Sequence, residues 1–402
     1  MFRVHTVVLG GGGAMGRITV RALAEDARVS RVTVADLSEA AAQRTIDWLE
    51  SGREKAVAAA CDVRDSDGLA KLLHGSDVVL NATDYPFNLD VMRAALAARV
   101  PYADLGGLFH MTRKQYELDS AFAEAGLTAV LGIGSTPGIT NILARHAADQ
   151  LDTVERLDVR IGSADLRSGD APFAPPYSIR TIFDECTLEP MVFSDGETRA
   201  VPPLSGQESI VFPAPIGAAT AMYTLHSEVA LFPVSFGDRG LKHASFKIAF
   251  PPAFLDQLRL LVDLGLASTT PLAVRTARKG QTAQIAPREA LVALLQQRAG
   301  ALPAGEPDDC DVLRVVAAGS RDGVPVELTE EMVVLPYRPW GIGAGDLDTG
   351  VPLAIAGILL ATGAARLPGA HGAERVFDPA AFLGELARYG MHARETLTRI
   401  IS

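Results

Sequence analysis

Polar side chains interrupt an apolar stretch at YTLHSEVALFP, residues 223–233, which contains His226, Ser227 and Glu228. If this stretch is a strand, His226 and Glu228 share a face, because side chains two residues apart point the same way. An imidazole and a carboxylate in contact could move a proton in general acid–base chemistry, one group acting and the other orienting it. The alternative is a half-exposed strand whose polar face contacts water.

A second set of candidates lies in VVLGGGGAMGR, residues 7–17, where Gly11, Gly13 and Gly16 form a G-x-G-x-x-G pattern. In dinucleotide-binding folds the first glycine permits a tight turn and the second lets the backbone approach a pyrophosphate. The third lets the following helix pack close to its strand. An apolar run precedes the pattern and a helical pattern follows it, so a nucleotide site is favoured over a structural turn.

Asp36 ends the second apolar run 20 residues after Gly16. That spacing matches the carboxylate that holds the adenosine ribose hydroxyls in such folds. The helix start, at Ala14 and Met15, would present free N–H groups to the phosphates. Because a carboxylate repels a 2′-phosphate, and Leu37 follows instead of an arginine, the sequence predicts NAD in preference to NADP.

Other polar residues follow later strands of the same region. Asp62 and Val63 follow the third strand and are candidates for the adenine edge, although Asp62 could equally cap a helix. Asn81 and Ala82 end the fourth strand beside the expected cofactor cleft, with a turn-forming Asn as the alternative. Asp104 ends the fifth strand, at the edge where ligands bind, and is a candidate catalytic residue; capping or a turn is its alternative.

Candidate substrate-binding residues occur beyond residue 139. Tyr177, Arg180 and Asp184, in YSIRTIFDE, are spaced to lie near one helix face. Arg180 could clamp a substrate carboxylate through its planar guanidinium, the alternative being a solvated helix arginine. Arg239 and Lys242 are weaker candidates of the same kind.

The segment that begins at Pro137-Gly138 predicts a helix whose start could bind an anion through free N–H groups. Thr140 and Asn141 lie at this start and Thr140 is a candidate substrate contact; a plain proline-initiated helix is the alternative. The sequence contains no H-E-x-x-H motif and no His/Cys cluster, so no metal is expected. It also lacks a G-x-S-x-G nucleophile motif.

The elements that must position these residues alternate regularly in the first third of the chain. Continuous apolar, β-branched runs separated by amphipathic helices predict a parallel sheet covered on both faces. This is the pattern of an α/β, Rossmann-type doubly wound fold. The six predicted strands are Thr6–Leu9, Arg31–Ala35, Val57–Cys61, Val78–Asn81, Tyr102–Leu105 and Thr128–Leu131.

The pattern changes after about residue 139. Asp-Gly pairs at 195–196 and 322–323 predict tight hairpins, and helices are expected at about 252–266 and 287–299. We therefore predict a dinucleotide-binding domain at 1–138 and an inserted, antiparallel α+β substrate and dimerisation domain at 139–345. Residues 346–402 are predicted to be helices that return to the first domain.

The composition restricts the possible partners. A chain of 402 residues is long enough for two domains, and 48% hydrophobic with 21% charged residues is typical of a folded protein. The formal net charge of −11 argues against nucleic acid and anionic membranes as partners. Three scattered cysteines favour a reducing compartment, so a cytoplasmic location is expected. Glycine and proline interrupt the long uncharged stretches, which argues against a membrane span.

The chain resembles the saccharopine dehydrogenase superfamily, in particular its lysine 6-dehydrogenase branch. The resemblance implies a dinucleotide domain completed by C-terminal helices, and an inserted domain with substrate contacts and a homodimer interface. The motifs that carry it are VLGGGGAMGR, YADLGGLFHMTRKQ, LGIGSTPGITNILARHAADQL, YSIRTIFDE, YTLHSEVALFP and AAFLGELARYGMHARE.

The resemblance also implies the reaction class, which is oxidation or reduction of a C–N bond in an amino acid or amine. The leading hypothesis is an NAD-dependent amino-acid dehydrogenase. The alternatives are a reductase that joins an amine to an aldehyde or keto acid, and a nucleotide sensor without catalytic activity.

Overall fold

The computed structural model describes residues 4–167, 173, 175, 177–276, 280–299 and 305–399. Its first part alternates strands and helices as the apolar runs predict. The elements, in chain order, are β1 (Val4–Leu9), α1 (Ala14–Glu25), β2 (Val29–Asp36), α2 (Glu39–Trp48), β3 (Ala56–Ala60), α3 (Ser66–Leu73), β4 (Val78–Asn81), α4 (Asn88–Ala98), β5 (Tyr102–Asp104), α5 (Leu108–Tyr116), α6 (Asp119–Ala125), β6 (Thr128–Val130) and α7 (Ile139–Asp149).

The second part contains longer strands and fewer helices. Its elements are β7 (Thr153–Asp165), α8 (Ile179–Thr187), β8 (Met191–Ser194), β9 (Glu197–Ala200), β10 (Glu208–Val211), β11 (Ala218–Tyr223), α9 (Glu228–Phe236), β12 (His243–Ala249), α10 (Pro252–Asp263), β13 (Leu272–Arg275), β14 (Thr282–Ile285), α11 (Pro287–Ala299), β15 (Asp309–Arg321) and β16 (Val324–Val334). The tail contains α12 (Ala344–Ala361), β17 (Gly369–His371), α13 (Ala373–Val376), α14 (Pro379–Ala387) and β18 (Ala393–Arg399).

The first sheet has seven parallel strands in the order β17-β6-β5-β4-β1-β2-β3. The predicted Rossmann-type sheet is thus confirmed. The strand order reverses at β1, which lies between β4 and β2, so the ligand crevice of such a sheet lies beyond the ends of β1 and β4. The sequence did not predict the seventh strand, β17, because three residues are too few to show a strand period.

The second sheet is mixed. Its order is β10-β11-β12-β7-β15-β16-β18, with β8 paired to β12 and β9. The expectation of a purely antiparallel sheet is wrong, because β12 runs parallel to β7 after a long connection. The two Asp-Gly hairpins are confirmed: they join β8 to β9 and β15 to β16, with φ of 52° at Asp195 and 53° at Asp322.

Helix α12 returns to the first domain and packs on α1. The Thr19 hydroxyl donates to the Gly350 carbonyl at 2.8 Å, and most of the apolar side chains of α12 are buried. The chain then adds β17 to the first sheet and β18 to the second, where β18 pairs with β16. The tail is therefore not all helical, since the exposed sequence ARETLTR forms an edge strand.

By length and composition alone, α12 is the one helix of the described residues that could cross a membrane. Seventy-two per cent of that helix is buried inside the protein, however, against α1 and the first sheet. Its apolar composition is therefore accounted for by packing between elements of the chain.

Replacing Gly350 with alanine is expected to destabilise the protein by about 1–3 kcal/mol, because the added methyl overpacks the α1–α12 contact. A Cβ at Gly350 would lie 2.5 Å from Cβ of Ile18. The matched control is Gly384→Ala in α14, where the added methyl meets no atom and the gain in helix propensity should be up to about 1 kcal/mol. Thermal and urea unfolding measure both variants, and equal stabilities would contradict this packing.

Candidate active site

The glycine-rich turn between β1 and α1 has the shape of a phosphate cradle. A Cβ on Gly16 would lie 2.1 Å from the carbonyl oxygen of Gly10, so glycine is needed for α1 to pack this close. The positive φ of the turn, +71°, is at Gly10 and not at Gly11 as predicted; Gly11 is needed for close packing, because a Cβ there would lie 2.6 Å from Cγ1 of Val34. Gly13 is exposed at the helix start, which leaves its backbone open to a ligand.

Asp36 is fixed at the rim of this cradle. Its Oδ2 accepts the Gly12 N–H at 3.1 Å, and its Oδ1 accepts the Ser38 N–H at 3.1 Å. The carboxylate is therefore held at the end of β2, beside the turn, as a ribose-binding group requires. Ala14 is exposed and Met15 half-buried at the start of α1. These residues fit a dinucleotide, which would bring hydride-transfer chemistry when bound.

At the third strand, Asp62 pairs with Arg64, whose Nη2 lies 2.7 Å from Oδ2. These hydrogen bonds from Arg64 lower the pKa of Asp62 to about 2. The cap of α3 is Asp65, which accepts the Gly68 N–H, so the helix-cap alternative for Asp62 is wrong. Asp62 and the half-buried Val63 stay candidates for the adenine edge.

Asn81 has a structural role. Its side chain is buried and bonded to Asn88 at 2.9 Å and to Thr83, so it has little capacity left for a cofactor. Ala82 is half-buried, and its carbonyl oxygen would lie 2.7 Å from a Cβ on Gly10. At this strand end, then, Ala82 borders the glycine-rich turn through its backbone and Asn81 holds the turn after β4.

Asp104 is fully buried, and both of its oxygens are occupied. Oδ1 accepts the N–H groups of Gly106 at 2.9 Å and Gly132 at 2.7 Å, and Oδ2 accepts from Tyr102 and Gln115. Burial raises the pKa of Asp104. The prediction of a catalytic Asp104 is corrected: with four protein donors around it, the carboxyl holds two loops together at the sheet edge.

His226 and Glu228 are in contact, although not on a strand. β11 ends at Tyr223 and Glu228 begins α9, so the predicted strand face is wrong. His226 Nδ1 nevertheless bonds Glu228 Oε2, and the imidazole stacks on Phe246 with ring centroids 3.8 Å apart. Both side chains are buried, which excludes the water-exposed alternative.

The second oxygen of Glu228 binds the loop before α7. Oε1 accepts the hydroxyls of Thr136 and, at 2.9 Å, Thr140. Burial opposes the charged form of both partners, but the ion pair prevails: it raises the pKa of His226 and lowers that of Glu228. Thr140, a predicted substrate residue, therefore positions Glu228.

Glu185 completes this group and was not predicted. Its Oε1 lies 4.0 Å from His226 Nε2, and its Oε2 accepts the Tyr177 hydroxyl. Burial raises the pKa of Glu185 to about 7, where a carboxyl can both donate and accept a proton near neutral pH. The only sequence feature that could have identified Glu185 was its position next to Asp184 in YSIRTIFDE.

The other predicted substrate residues have protein partners elsewhere. Arg180 binds Glu289 with two guanidinium nitrogens, at 3.0 and 2.5 Å. Arg239 donates to the carbonyls of Ala148 and Leu151 near the end of α7. Of the predicted substrate set, only Tyr177 and Thr140 join the group around His226.

Three N–H groups at the start of α7 already have acceptors within the protein. Gly138 N–H donates to Asn141 Oδ1 at 2.9 Å, Ile139 N–H to the Gly134 carbonyl at 2.9 Å, and Thr140 N–H to the Ser135 carbonyl at 3.3 Å. The predicted anion site at this helix start is therefore wrong.

Two more carboxyls lie on the other side of the same loop. Ser135, next to Thr136, donates to Asp348 at 2.9 Å, and Ser163 donates to Asp311 at 2.5 Å. Burial and the charge of Asp311 raise the pKa of Asp348, and burial raises the pKa of Asp311 to about 6. Burial and the charge of Glu185 raise the pKa of Tyr177, and Asp311 makes a smaller contribution in the same direction.

We call Asp311 and Asp348 the acidic cluster, because the charge of Asp311 acts on Asp348. The two residues come from β15 and α12, and the loop at 135–136 binds Asp348 through Ser135 and Glu228 through Thr136. Buried carboxyls with raised pKa values are costly to ionise, and a bound cation would relieve that cost.

Among the described ranges, one group has the residue types and spacing of a metal site: His146, Glu330 and Glu395. His146 Nδ1 lies 2.5 Å from Glu330 Oε1, too close for a metal ion to lie between them without movement. The group joins α7, β16 and β18, away from His226.

With this geometry established, comparisons with known proteins identify the class. Residues 6–130 match the saccharopine dehydrogenase NADP-binding domain and residues 134–391 match the saccharopine dehydrogenase C-terminal domain. The chain belongs to the saccharopine dehydrogenase family. It is an NAD(P)-dependent oxidoreductase of the class that acts on CH–NH or CH–NH2 groups.

Curated relatives cover most of the chain. Carboxyaminopropylagmatine dehydrogenase from Synechocystis is 26% identical over 99% of this chain and 98% of the relative. Carboxynorspermidine synthase from Vibrio cholerae is 23% identical over 95% of this chain and 94% of the relative. The saccharopine dehydrogenase (L-Glu forming) of Saccharomyces cerevisiae matches with a TM-score of 0.72, at 20% identity, over 98% of this chain and 100% of that one, which confirms the fold.

Proposed function

We propose that this protein is a reductase that joins a cationic amine to an aldehyde bearing an amino-acid group, through a new C–N bond. The observation that carries the proposal is the acidic cluster, two carboxyls with raised pKa values beside the loop that also binds Glu228. A dehydrated group of carboxyls suits a protonated diamine or polyamine better than a neutral or anionic substrate. The names of the two curated relatives, both of which denote carboxylated polyamines, support this choice over lysine as substrate.

In this reaction the amine nitrogen attacks the aldehyde carbon and the hydroxyl leaves as water after protonation, giving an iminium ion whose nitrogen retains one proton. A bound dinucleotide would supply hydride chemistry at the iminium carbon. Balanced, an amine, an aldehyde, NAD(P)H and one proton give a secondary amine, NAD(P)⁺ and water. The protein must deprotonate the incoming ammonium and protonate the leaving hydroxyl.

Glu185 is suited to both proton transfers. A carboxyl with a pKa of about 7 can accept the ammonium proton and return it to the leaving hydroxyl. Glu228 raises the pKa of His226, and the charged form of His226, 4.0 Å from Glu185, would stabilise the ionised form of Glu185. The reverse reaction, oxidation of a secondary amine, uses the same groups in the opposite order.

The test is a set of parallel assays that follow nicotinamide absorbance. Purified protein is incubated with NADH or NADPH, a diamine such as putrescine or agmatine, and aspartate semialdehyde, the aldehyde that would leave a carboxyaminopropyl group. We expect oxidation of the nicotinamide only when amine and aldehyde are both present. Turnover of lysine with NAD⁺ and no aldehyde would instead select the lysine 6-dehydrogenase hypothesis, and no turnover in any mixture would favour the nucleotide sensor.

The role of the acidic cluster is tested with Asp348→Asn. This change should raise KM for a diamine more than KM for a monoamine of equal length, because only the diamine has a distal ammonium to bind. Equal effects on the two amines would place the distal ammonium elsewhere.

We further propose that NAD(H) is preferred over NADP(H). The description of the matched family names NADP. In this chain, however, the N–H groups of Gly12 and Ser38 hold the Asp36 carboxylate at the end of β2, where it would repel the 2′-phosphate of NADP(H). Asp36→Ala should weaken NAD(H) by about 10–150-fold, the loss of about 1.5–3 kcal/mol for hydrogen bonds to a charged group, and reduce discrimination against NADP(H).

The matched control is Asp36→Asn, which keeps an acceptor for the Gly12 N–H and removes the charge. If charge decides the preference, Asn should relax the discrimination as Ala does while preserving the turn. Tighter binding of NADP(H) than NAD(H) by the wild-type protein, measured by fluorescence titration, would show that another residue sets the choice.

We also propose a homodimer, as expected from the resemblance. Large apolar side chains are exposed on the segment from α10 to α11, including Leu260, Leu264, Leu272 and Leu294. Several exposed leucines within one segment favour an interface there. Light scattering after size exclusion would contradict this if the mass corresponded to a single chain of 42.4 kDa.

A further inference from the structure

A cavity of about 430 Å³ lies outside the active site, between α5, α9 and the β17–α13 segment. This volume is in the range of small-molecule sites. One wall is apolar and contains Phe109, Val229, Ala230, Pro233 and Ala370. The cavity opens at the edge of the first sheet, beside β17, whereas the dinucleotide crevice lies beyond the ends of β1 and β4.

Two arginines give this cavity a positive charge. The exposed Arg113 and Arg375 both line it, and Arg113 lies over the Phe109 ring, 6.0 Å from its centroid. Neither guanidinium has a hydrogen bond or an ion pair with any residue of the described ranges. Asp119 also lines the cavity, but its Oδ1 accepts the Ala370 N–H at 2.8 Å. Burial and the charge of Arg375 lower the pKa of His371, so this ring is neutral near pH 7.

Tyr116 also lines the cavity. Burial raises the pKa of its hydroxyl, and a hydrogen bond with the Gly372 backbone acts in the opposite direction. A net positive cavity is also unusual for a protein with a formal net charge of −11.

We propose that this cavity binds a small organic anion, a carboxylate or phosphate ester with an apolar group. The guanidiniums of Arg113 and Arg375 bind the anionic oxygens, because their planar donors suit carboxylate and phosphate geometry. The apolar group packs on Phe109 and α9. The site is separate from the dinucleotide and the acidic cluster, and the inference does not depend on the proposed function.

The experiment is calorimetric titration of the full-length protein with four probes. Phenyl phosphate and benzoate carry both features, inorganic phosphate carries only the charge, and benzyl alcohol carries only the apolar group. We expect the first two to bind more tightly than the last two. Whichever of phenyl phosphate and benzoate binds with the higher affinity indicates whether the natural ligand is a phosphate ester or a carboxylate.

The variant Arg113→Gln/Arg375→Gln should weaken phenyl phosphate by at least about 10-fold, the lower limit for loss of a hydrogen bond to a charged group. The matched control is Arg31→Gln/Lys71→Gln, which removes two exposed positive charges elsewhere and should leave binding unchanged.

Saturating NADH should not change binding of phenyl phosphate if the sites are separate. The proposal is overturned if no probe binds, if NADH displaces the probe, or if the arginine and control variants lose affinity equally. Because these readouts do not involve turnover, they are independent of the activity assays above.

Discussion

Glu185→Gln is expected to lower the turnover number by about 10²–10⁴-fold, the usual loss when a general acid–base group is removed. Glutamine has nearly the same shape and can still accept the Tyr177 hydroxyl, but it cannot exchange a proton near neutral pH. Binding of NAD(H) should be almost unchanged, because Glu185 lies on α8, apart from the glycine-rich turn. The wild-type rate profile should show a group titrating near pH 7 that is absent in the variant.

The same substitution should stabilise the fold at alkaline pH. The pKa of Glu185 in the folded protein, about 7, is above the ordinary value of 4.5, so its stabilising contribution is complete below pH 4.5 and is lost as the pH rises through 7. Glutamine does not ionise. The melting temperature of Glu185→Gln relative to wild type should therefore be higher at pH 8 than at pH 5.

Loss of activity together with a gain in stability would indicate that the buried carboxyl is retained for function. The matched control is Glu289→Gln, which changes an exposed carboxylate bound to Arg180 and should preserve turnover. Near-normal turnover of Glu185→Gln would refute the assigned acid–base role. An unfolded Glu185→Gln protein would contradict the predicted gain in stability.

His226→Ala is expected to reduce the free energy of unfolding by about 3–5 kcal/mol, because it leaves Glu228 buried without its partner. Turnover should also fall, since Glu185 loses the charge that stabilises its ionised form. The double variant His226→Ala/Glu228→Gln should recover part of the lost stability, because it removes the unpaired charge. Urea unfolding of the two single variants and of the double variant gives the coupling free energy between the two side chains.

The pH dependence of stability provides a second test of the His226–Glu228 ion pair. The raised pKa of His226 contributes stability that is complete below pH 6.5 and is lost as the pH rises through the higher value in the folded protein. The lowered pKa of Glu228 contributes stability that is complete above pH 4.5 and is lost as the pH falls through the lower value. The difference between wild type and the double variant should thus be largest between pH 4.5 and 6.5. If His226→Ala lowered the free energy of unfolding by less than about 1 kcal/mol, the role assigned to this ion pair would be contradicted.

The sequence determined the features that depend on local order along the chain. The six strands of the first domain, the glycine-rich turn and the 20-residue spacing from Gly16 to Asp36 follow from short-range periodicity and backbone geometry. The Asp-Gly hairpins follow from the positive φ of their central residues. The contact of His226 with Glu228 was also predicted, although a loop and a helix start bring the two side chains together instead of a strand.

The tertiary structure alone decided which polar residues are free to act. The residue types and positions of Asp104 and Arg180 suggested roles in catalysis and substrate binding. In the folded protein, Asp104 accepts the Gly132 N–H and Arg180 donates to Glu289, so both side chains are already occupied. Glu185 acquires its raised pKa from burial beside the loop that contains His226, and Asp348 from burial and the charge of Asp311, while its hydrogen-bond donor Ser135 is 213 residues away in the chain. Hydrogen-bond saturation and burial are set by packing between segments distant in the chain, so a pattern within one segment cannot predict them.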